Sequence, residues 1–121
     1  MNKIESAMDL EVFQRAYALS LDVHHKSLKF PQVEQYGLAE QMRRASKSIC
    51  VNLAEGYGKR RGSVLEFKRY IQIAIGSADE MLVWAQYCLD LGYVSEEVYQ
   101  KWFTGYREVA KMLQGLNRSW K

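Results

Sequence analysis

Apolar residues in this chain return every three or four positions through four blocks, and breaks containing the single proline or glycine separate the blocks. That spacing matches the 3.6-residue period of an α-helix. A high share of Leu, Ala, Glu, Lys and Gln favours helix over sheet as well. Helices are predicted over about residues 9–28, 38–55, 64–91 and 96–118. Phe30-Pro31 ends the first, because the residue before proline is pushed out of the helical region. Gly56 reads as a left-handed cap ending the second, and Gly92 as the stop of the third. Ser63 and Glu66 read as a capping box opening the third helix, with Glu66 reaching back, and Ser95 as the N-cap of the fourth. The connections are short, so sequential helices should lie antiparallel. The expected fold is all-α: one domain over residues 1–121, an antiparallel up-and-down four-helix bundle.

Two of the apolar arcs are too wide for a one-sided surface helix. On the first helix Leu10, Val12, Phe13, Ala16, Tyr17, Leu21, Val23, His24 and Leu28 cover more than half the circumference. The third is similar, from Phe67 and Tyr70 through Trp84 to Leu89. Four helices leave little room for a central one, so the surplus apolar surface points to a homo-oligomer. Tyr17, Trp84, Trp102 and Tyr106 fall at core positions and read as packing residues.

The chain has 121 residues and a formal net charge of +3, unevenly placed. Residues 43–69 carry eight cations against two anions, a formal +6, which leaves −3 for the rest. Met1-Asn2-Lys3-Ile4-Glu5 has no apolar core behind it, so no secretory signal is expected. The uncharged stretch over residues 70–78 is far too short to cross a bilayer. The expected compartment is the cytoplasm, with no membrane partner. Cys50 and Cys88 then read as two buried, reduced thiols.

Little in the sequence suggests catalysis. His24 and His25 are adjacent and point about 100° apart on a helix, so they cannot chelate one ion together. No Glu-x-x-His pair exists to build a di-iron site in a bundle, and the cysteines lack zinc spacing. No paired base activates a serine or cysteine. Neither enzyme activity, metal nor cofactor is expected.

Two other patterns stand out. Gln41, Arg44, Ser48, Asn52 and Glu55 form a polar stripe beside the apolar stripe of the second helix. Ser77 and Glu80 on the third can face it. Buried charge needs partners, so the stripe reads as a structural hydrogen-bond network led by an Arg44 pair with Glu55 or Glu80. The other reading is a polar ligand site. The second pattern is basic. Lys59, Arg60 and Arg61 lie in a glycine-rich loop before a helix N-terminus, which favours anions. With Arg43, Lys47, Lys68 and Arg69 they make a candidate patch for a phosphate backbone, of RNA or DNA.

The segments Asp9-Leu10-Glu11-Val12-Phe13, Phe30-Pro31 and Gln41-Met42-Arg43-Arg44-Ala45, then Asn52-Leu53-Ala54-Glu55-Gly56, resemble a known family. It comprises the bacterial four-helix proteins encoded in intervening sequences of 23S ribosomal RNA genes. Glu66-Phe67, Ile73-Ala74, Gly76-Ser77 and Glu80 extend the likeness over most of the chain. The resemblance implies a ring-like homo-oligomer, typically a homopentamer. It also implies kinship with the accessory protein of diversity-generating retroelements, which works with a reverse transcriptase and nucleic acid. It supplies no catalytic role for the polar stripe. The expected function is a non-enzymatic homo-oligomer that binds nucleic acid through its basic patch. The alternative is a protein-interaction scaffold or reverse-transcriptase accessory with no direct nucleic-acid role.

Overall fold

A computed structural model describes residues 3–120. Met1 and Asn2, on which the reading of the N-terminus begins, lie outside the described residues, as does Lys121. The chain is all-α, with helices α1 (Glu11–Ser27), α2 (Leu38–Lys59), α3 (Val64–Asp90) and α4 (Glu96–Ser119). Short 3-10 turns, Ala7–Asp9 and Gln32–Glu34, precede α1 and α2. No strand occurs among the described residues.

Each helix packs on its neighbours in sequence, and α1 closes the circuit against α4. The enclosed core holds Met42, Ile49 and Leu53 from α2, Phe67, Ile71 and Met81 from α3, and Trp102, Tyr106 and Leu113 from α4. Burying each such side chain contributes roughly 1.5–3 kcal/mol. At one end the Phe30 ring meets Tyr93 at 5.2 Å, and Tyr93 Oη donates to Glu34 Oε2 at 2.7 Å. These contacts tie the α1–α2 connection to the α3–α4 turn. At the other end Phe67 packs edge-on against both Tyr57 (6.0 Å) and Trp120 (5.1 Å), joining the end of α2, the start of α3 and the end of α4.

The helix ends follow local chemistry. Ser95 Oγ accepts from the Val98 amide at 3.2 Å, and Ser63 Oγ from the Glu66 amide at 3.1 Å. Gly92 adopts φ +76°, the left-handed conformation expected of a C-terminal stop. Gly56 does not behave as expected. It sits inside α2, which runs on to Lys59, and Gly92 is the only described residue with positive φ. Its role is close approach: a Cβ there would lie 2.6 Å from Tyr70 Cβ and 3.2 Å from Phe67 Cδ1. Gly56 lets α2 and α3 touch backbone to side chain. The glycine-rich loop therefore shrinks to residues 60–63. The capping box at Ser63 is only half made, because the Glu66 carboxylate turns to Lys59 instead.

The wide arcs are not fully covered within one chain. Trp102 and Tyr106 are buried, but Tyr17 is 50% exposed, correcting its assignment to the core. Trp84 is only half-buried, and its indole N–H donates to Glu80 Oε2 at 2.8 Å. Leu21 and Val51 are exposed near Tyr17, and Leu65, Ile73, Val83 and Tyr87 on the outer side of α3.

Candidate nucleic-acid interface

The seven cations expected to form one patch occupy two separate regions. Arg43 and Lys47 lie in the first half of α2, and Lys59 closes its last turn. Twelve residues separate Lys47 from Lys59, about 18 Å along the axis at 1.5 Å per residue. Arg43 is also occupied. One guanidinium nitrogen donates to Ser27 Oγ at 2.9 Å and to Gln35 Oε1 at 3.4 Å. The other donates to the Gln35 carbonyl at 2.8 Å. Gln35 in turn donates to the carbonyls of Ser27 and Phe30. Arg43 therefore clamps the end of α1 and the following connection onto α2. Lys47 Nζ lies 3.0 Å from His24 Nδ1. Partial burial, then the nearby charges of Lys47, Arg43 and His25, hold the His24 imidazole below its ordinary pKa. In the tautomer with the proton on Nε2, the neutral ring accepts from Lys47 through Nδ1.

The second region surrounds the α2–α3 turn. Lys59 Nζ donates to Glu66 Oε1 at 3.1 Å and to Tyr70 Oη at 3.3 Å. The Glu66 hydrogen bond leads in raising the lysine pKa, so Lys59 stays charged but locally compensated. Arg60 sits over the Tyr57 ring, with Cζ 3.7 Å from the centroid, and donates to the Tyr57 carbonyl at 2.5 Å. It has no carboxylate partner among the described residues. Arg61 and Arg69 are exposed and Lys68 half-buried, and none forms an ion pair among the described residues. The turn therefore presents Arg60, Arg61, Lys68 and Arg69 as uncompensated charge. Cations at the end of α2 are also favoured by its helix dipole.

The polar stripe opens onto solvent. Gln41, Arg44, Ala45 and Ser48 of α2 and Ser77 and Glu80 of α3 line a shallow groove of about 270 Å³. Its floor is bonded: Ser77 Oγ donates to Ser48 Oγ at 3.1 Å. Asn52 Nδ2 donates to the Ser48 carbonyl at 2.8 Å and hydroxyl at 2.9 Å. The expected buried Arg44 pair is absent. Arg44, Glu55 and Glu80 are all exposed, and no ion pair joins them. Arg44 and Glu55 share a stripe but lie eleven residues apart, about 16 Å along the helix, beyond the reach of one chain's side chains. Glu80 is engaged by Trp84 instead.

Sequence reading missed a buried-edge cluster around Asp22. Its carboxylate accepts from Lys26 at 2.5 Å and Trp102 Nε1 at 2.8 Å, with Lys101 at 3.5 Å. Partial burial alone would raise its pKa, but these hydrogen bonds and charges together hold it below the usual value. The neighbouring α4 supplies Trp102 and Lys101, so only the i, i+4 Lys26 was visible in sequence.

Among the described residues no group of His, Cys, Asp and Glu is arranged to hold a metal ion. Both cysteines are free and buried, and burial pushes their thiols up to about 11 for Cys50 and about 12 for Cys88. At neutral pH they are not thiolate nucleophiles. No helix among the described residues is long and apolar enough to cross a membrane.

No curated protein matches the chain. Among solved structures, one described as a protein of unknown function from the S23 ribosomal protein family of Bacteroides thetaiotaomicron is similar in fold. The TM-score is 0.78 at 18% identity, over 88% of this chain and 95% of that one. The family model of the 23S rRNA-intervening sequence protein matches residues 8–115, most of the chain. The chain therefore belongs to the 23S rRNA-intervening sequence protein family.

Proposed function

We propose that this protein is a non-enzymatic homo-oligomer that binds RNA or DNA through the cations of its α2–α3 turn. The observation carrying this reading is that Arg60, Arg61, Lys68 and Arg69 gather at one turn with no carboxylate partner among the described residues. Such charge meets a phosphate backbone without reading its sequence. Arg43 and Lys47 are set apart from the patch because both lie in the first half of α2, far from the turn, and Arg43 is anchored to Ser27 and Gln35. Lys59 remains as the residue that fixes Glu66.

Short connections and the end-to-end contacts of Phe30 with Tyr93 and Phe67 with Trp120 support an antiparallel up-and-down bundle. Assembly is supported by the exposed apolar faces: Tyr17, Leu21 and Val51 on one side, and Ile73, Val83 and Tyr87 on α3. A ring, with five copies as the family resemblance implies, multiplies a formal +3 to +15, which strengthens attraction to a polyanion. The free thiols suit a reducing compartment, and we place the protein in the cytoplasm.

The test is binding to unrelated RNAs between about 50 and 200 mM salt, for wild type and for a variant with Arg60, Arg61, Lys68 and Arg69 all changed to Gln. Wild type should weaken steeply with salt. The variant should bind all the RNAs more weakly, with a shallower slope by about 0.7–0.9 per lost phosphate contact. Absence of salt-sensitive binding by wild type at low ionic strength sinks the reading. The same uncompensated cations favour a second reading, a protein-interaction scaffold whose basic face meets an acidic protein, or a reverse-transcriptase accessory with no direct nucleic-acid role. That reading predicts retention of the protein partner with no affinity for nucleic acid.

A further inference from the structure

The cations of α4 lie in a pattern the turn does not explain. Tyr99, Phe103, Arg107 and Lys111 are spaced by four residues, so they share one outward stripe of the helix, with Arg118 farther along the same side. The Tyr99 and Phe103 rings lie 5.4 Å apart, tilted by 35°, and Arg107 Cζ is 5.9 Å from the Phe103 centroid. The three therefore form a row of two tilted rings with a cation near one of them. Both rings are only half-buried, and Arg107 and Lys111 are exposed. Beside them lies an open hollow of about 430 Å³, bordered by the Gln100 amide and Thr104 hydroxyl.

The charge on this stripe is uncompensated. Arg107, Lys111 and Arg118 form no ion pair among the described residues. Glu108 borders the hollow and Glu11 lies near Lys111, but both carboxylates are engaged by Arg15 of α1. Toward the start of α4, Tyr99 Oη donates to Gln86 Oε1 at 2.9 Å, Gln86 in turn donates to Asp90, and Glu96 accepts from Gln100 at 3.3 Å. The stripe ends at the same end of the bundle as the turn. The Phe67–Trp120 contact sets the end of α4 beside the first turns of α3, which carry Lys68. A cationic track along α4 thus runs past Arg118 and Lys111 to the Arg107–Phe103–Tyr99 cluster.

We infer that this track is a seat for single-stranded nucleic acid, its phosphates on Lys111, Arg107 and Arg118 and a base stacked on Phe103 and Tyr99. This rests on the nucleic-acid reading above and sharpens it. A duplex hides its base faces and satisfies only the cations, whereas a single strand engages both parts of the stripe. An acidic protein segment would satisfy the cations but leave the aromatic rings without a role.

The test uses the full-length protein with a fluorescent oligo-uridine and with a duplex of equal length. Wild type should prefer the single strand. Ultraviolet crosslinking followed by peptide mapping should place the crosslinked base on Phe103 or Tyr99. Arg107→Gln with Lys111→Gln, both at exposed positions, should make the single-strand salt slope shallower by about 1.4, two contacts at about 0.7 each. Phe103→Leu, which keeps an apolar side chain against the bundle, should weaken single-strand binding by roughly ten-fold or more and leave duplex binding unchanged. Equal affinity for both forms, or crosslinks confined to the α2–α3 turn, overturns the inference and leaves the nucleic-acid reading standing. Binding of neither form by wild type removes both.

Discussion

Replacing Gly56 by Ala isolates the packing on which the α2–α3 contact depends. Intrinsic propensity favours the change, since Ala is better than Gly inside a helix by about 0.8–1.0 kcal/mol. Geometry opposes it. The new Cβ would stand 2.6 Å from Tyr70 Cβ and 3.3 Å from the Phe67 carbonyl oxygen. Neither atom is the free end of a flexible side chain, so relief requires α2 and α3 to separate by about 1 Å, which loosens close-packed contacts along the pair. Overpacking of this kind costs about 1–3 kcal/mol, and loosening the facing Phe67 adds to it. The net expectation is destabilisation of up to about 2 kcal/mol. Gly58 supplies the control two residues away. It lies in the same helix, and a Cβ added there would meet nothing within 4 Å, so Gly58→Ala should stabilise by about 0.5–1 kcal/mol. Urea midpoints followed by circular dichroism, at one protein concentration so that assembly does not differ, read both effects. Opposite signs are expected. Two substitutions that stabilise alike would refute the close approach of α2 and α3 at Gly56.

Tyr106→Phe should leave the fold as stable or raise stability by up to about 1–3 kcal/mol, because the buried Tyr106 hydroxyl has no hydrogen-bond partner among the described residues; thermal melts check it, and a clear loss would mean the hydroxyl is satisfied. Arg43→Ala should cost about 1–3 kcal/mol by releasing the Ser27 and Gln35 contacts, and Arg43→Lys should restore little, since one ammonium cannot span both partners. Denaturant titrations of the two variants separate these outcomes. Stability should fall as pH drops below the ordinary histidine value of 6.5, where the unfolded chain protonates His24 before the folded one does, and should level off below the folded pKa. His24→Gln should flatten that part of the profile; an unchanged profile would clear His24 of the effect.

Spacing made the four helices legible, along with the stops at Pro31 and Gly92 and the cap at Ser95, because these depend on residues within one turn of each other. What sequence could not separate was one kind of glycine from another. Gly56 and Gly92 both follow a helical pattern, yet only Gly92 has a left-handed backbone, and the reason for Gly56 is Tyr70, on the next helix. Within the polar stripe, Ser48, Asn52 and Ser77 do bond, but the Arg44 pair is missing for a related reason. A helical wheel puts Arg44 and Glu55 on one line but discards the roughly 16 Å between them along the axis. Charge in the turn was likewise overcounted, since Glu66 compensates Lys59 only once the turn folds back on itself. Tyr17 shows the limit of apolar periodicity, which marks a face to be covered without saying whether the same chain covers it.

Light scattering coupled to size-exclusion chromatography, on the full chain with and without an oligonucleotide at low salt, weighs assembly and binding together. A multiple of the 14.1 kDa chain mass should elute alone, and its mass should rise by that of the bound nucleic acid. A 14.1 kDa species that gains no mass when the oligonucleotide is added would contradict both.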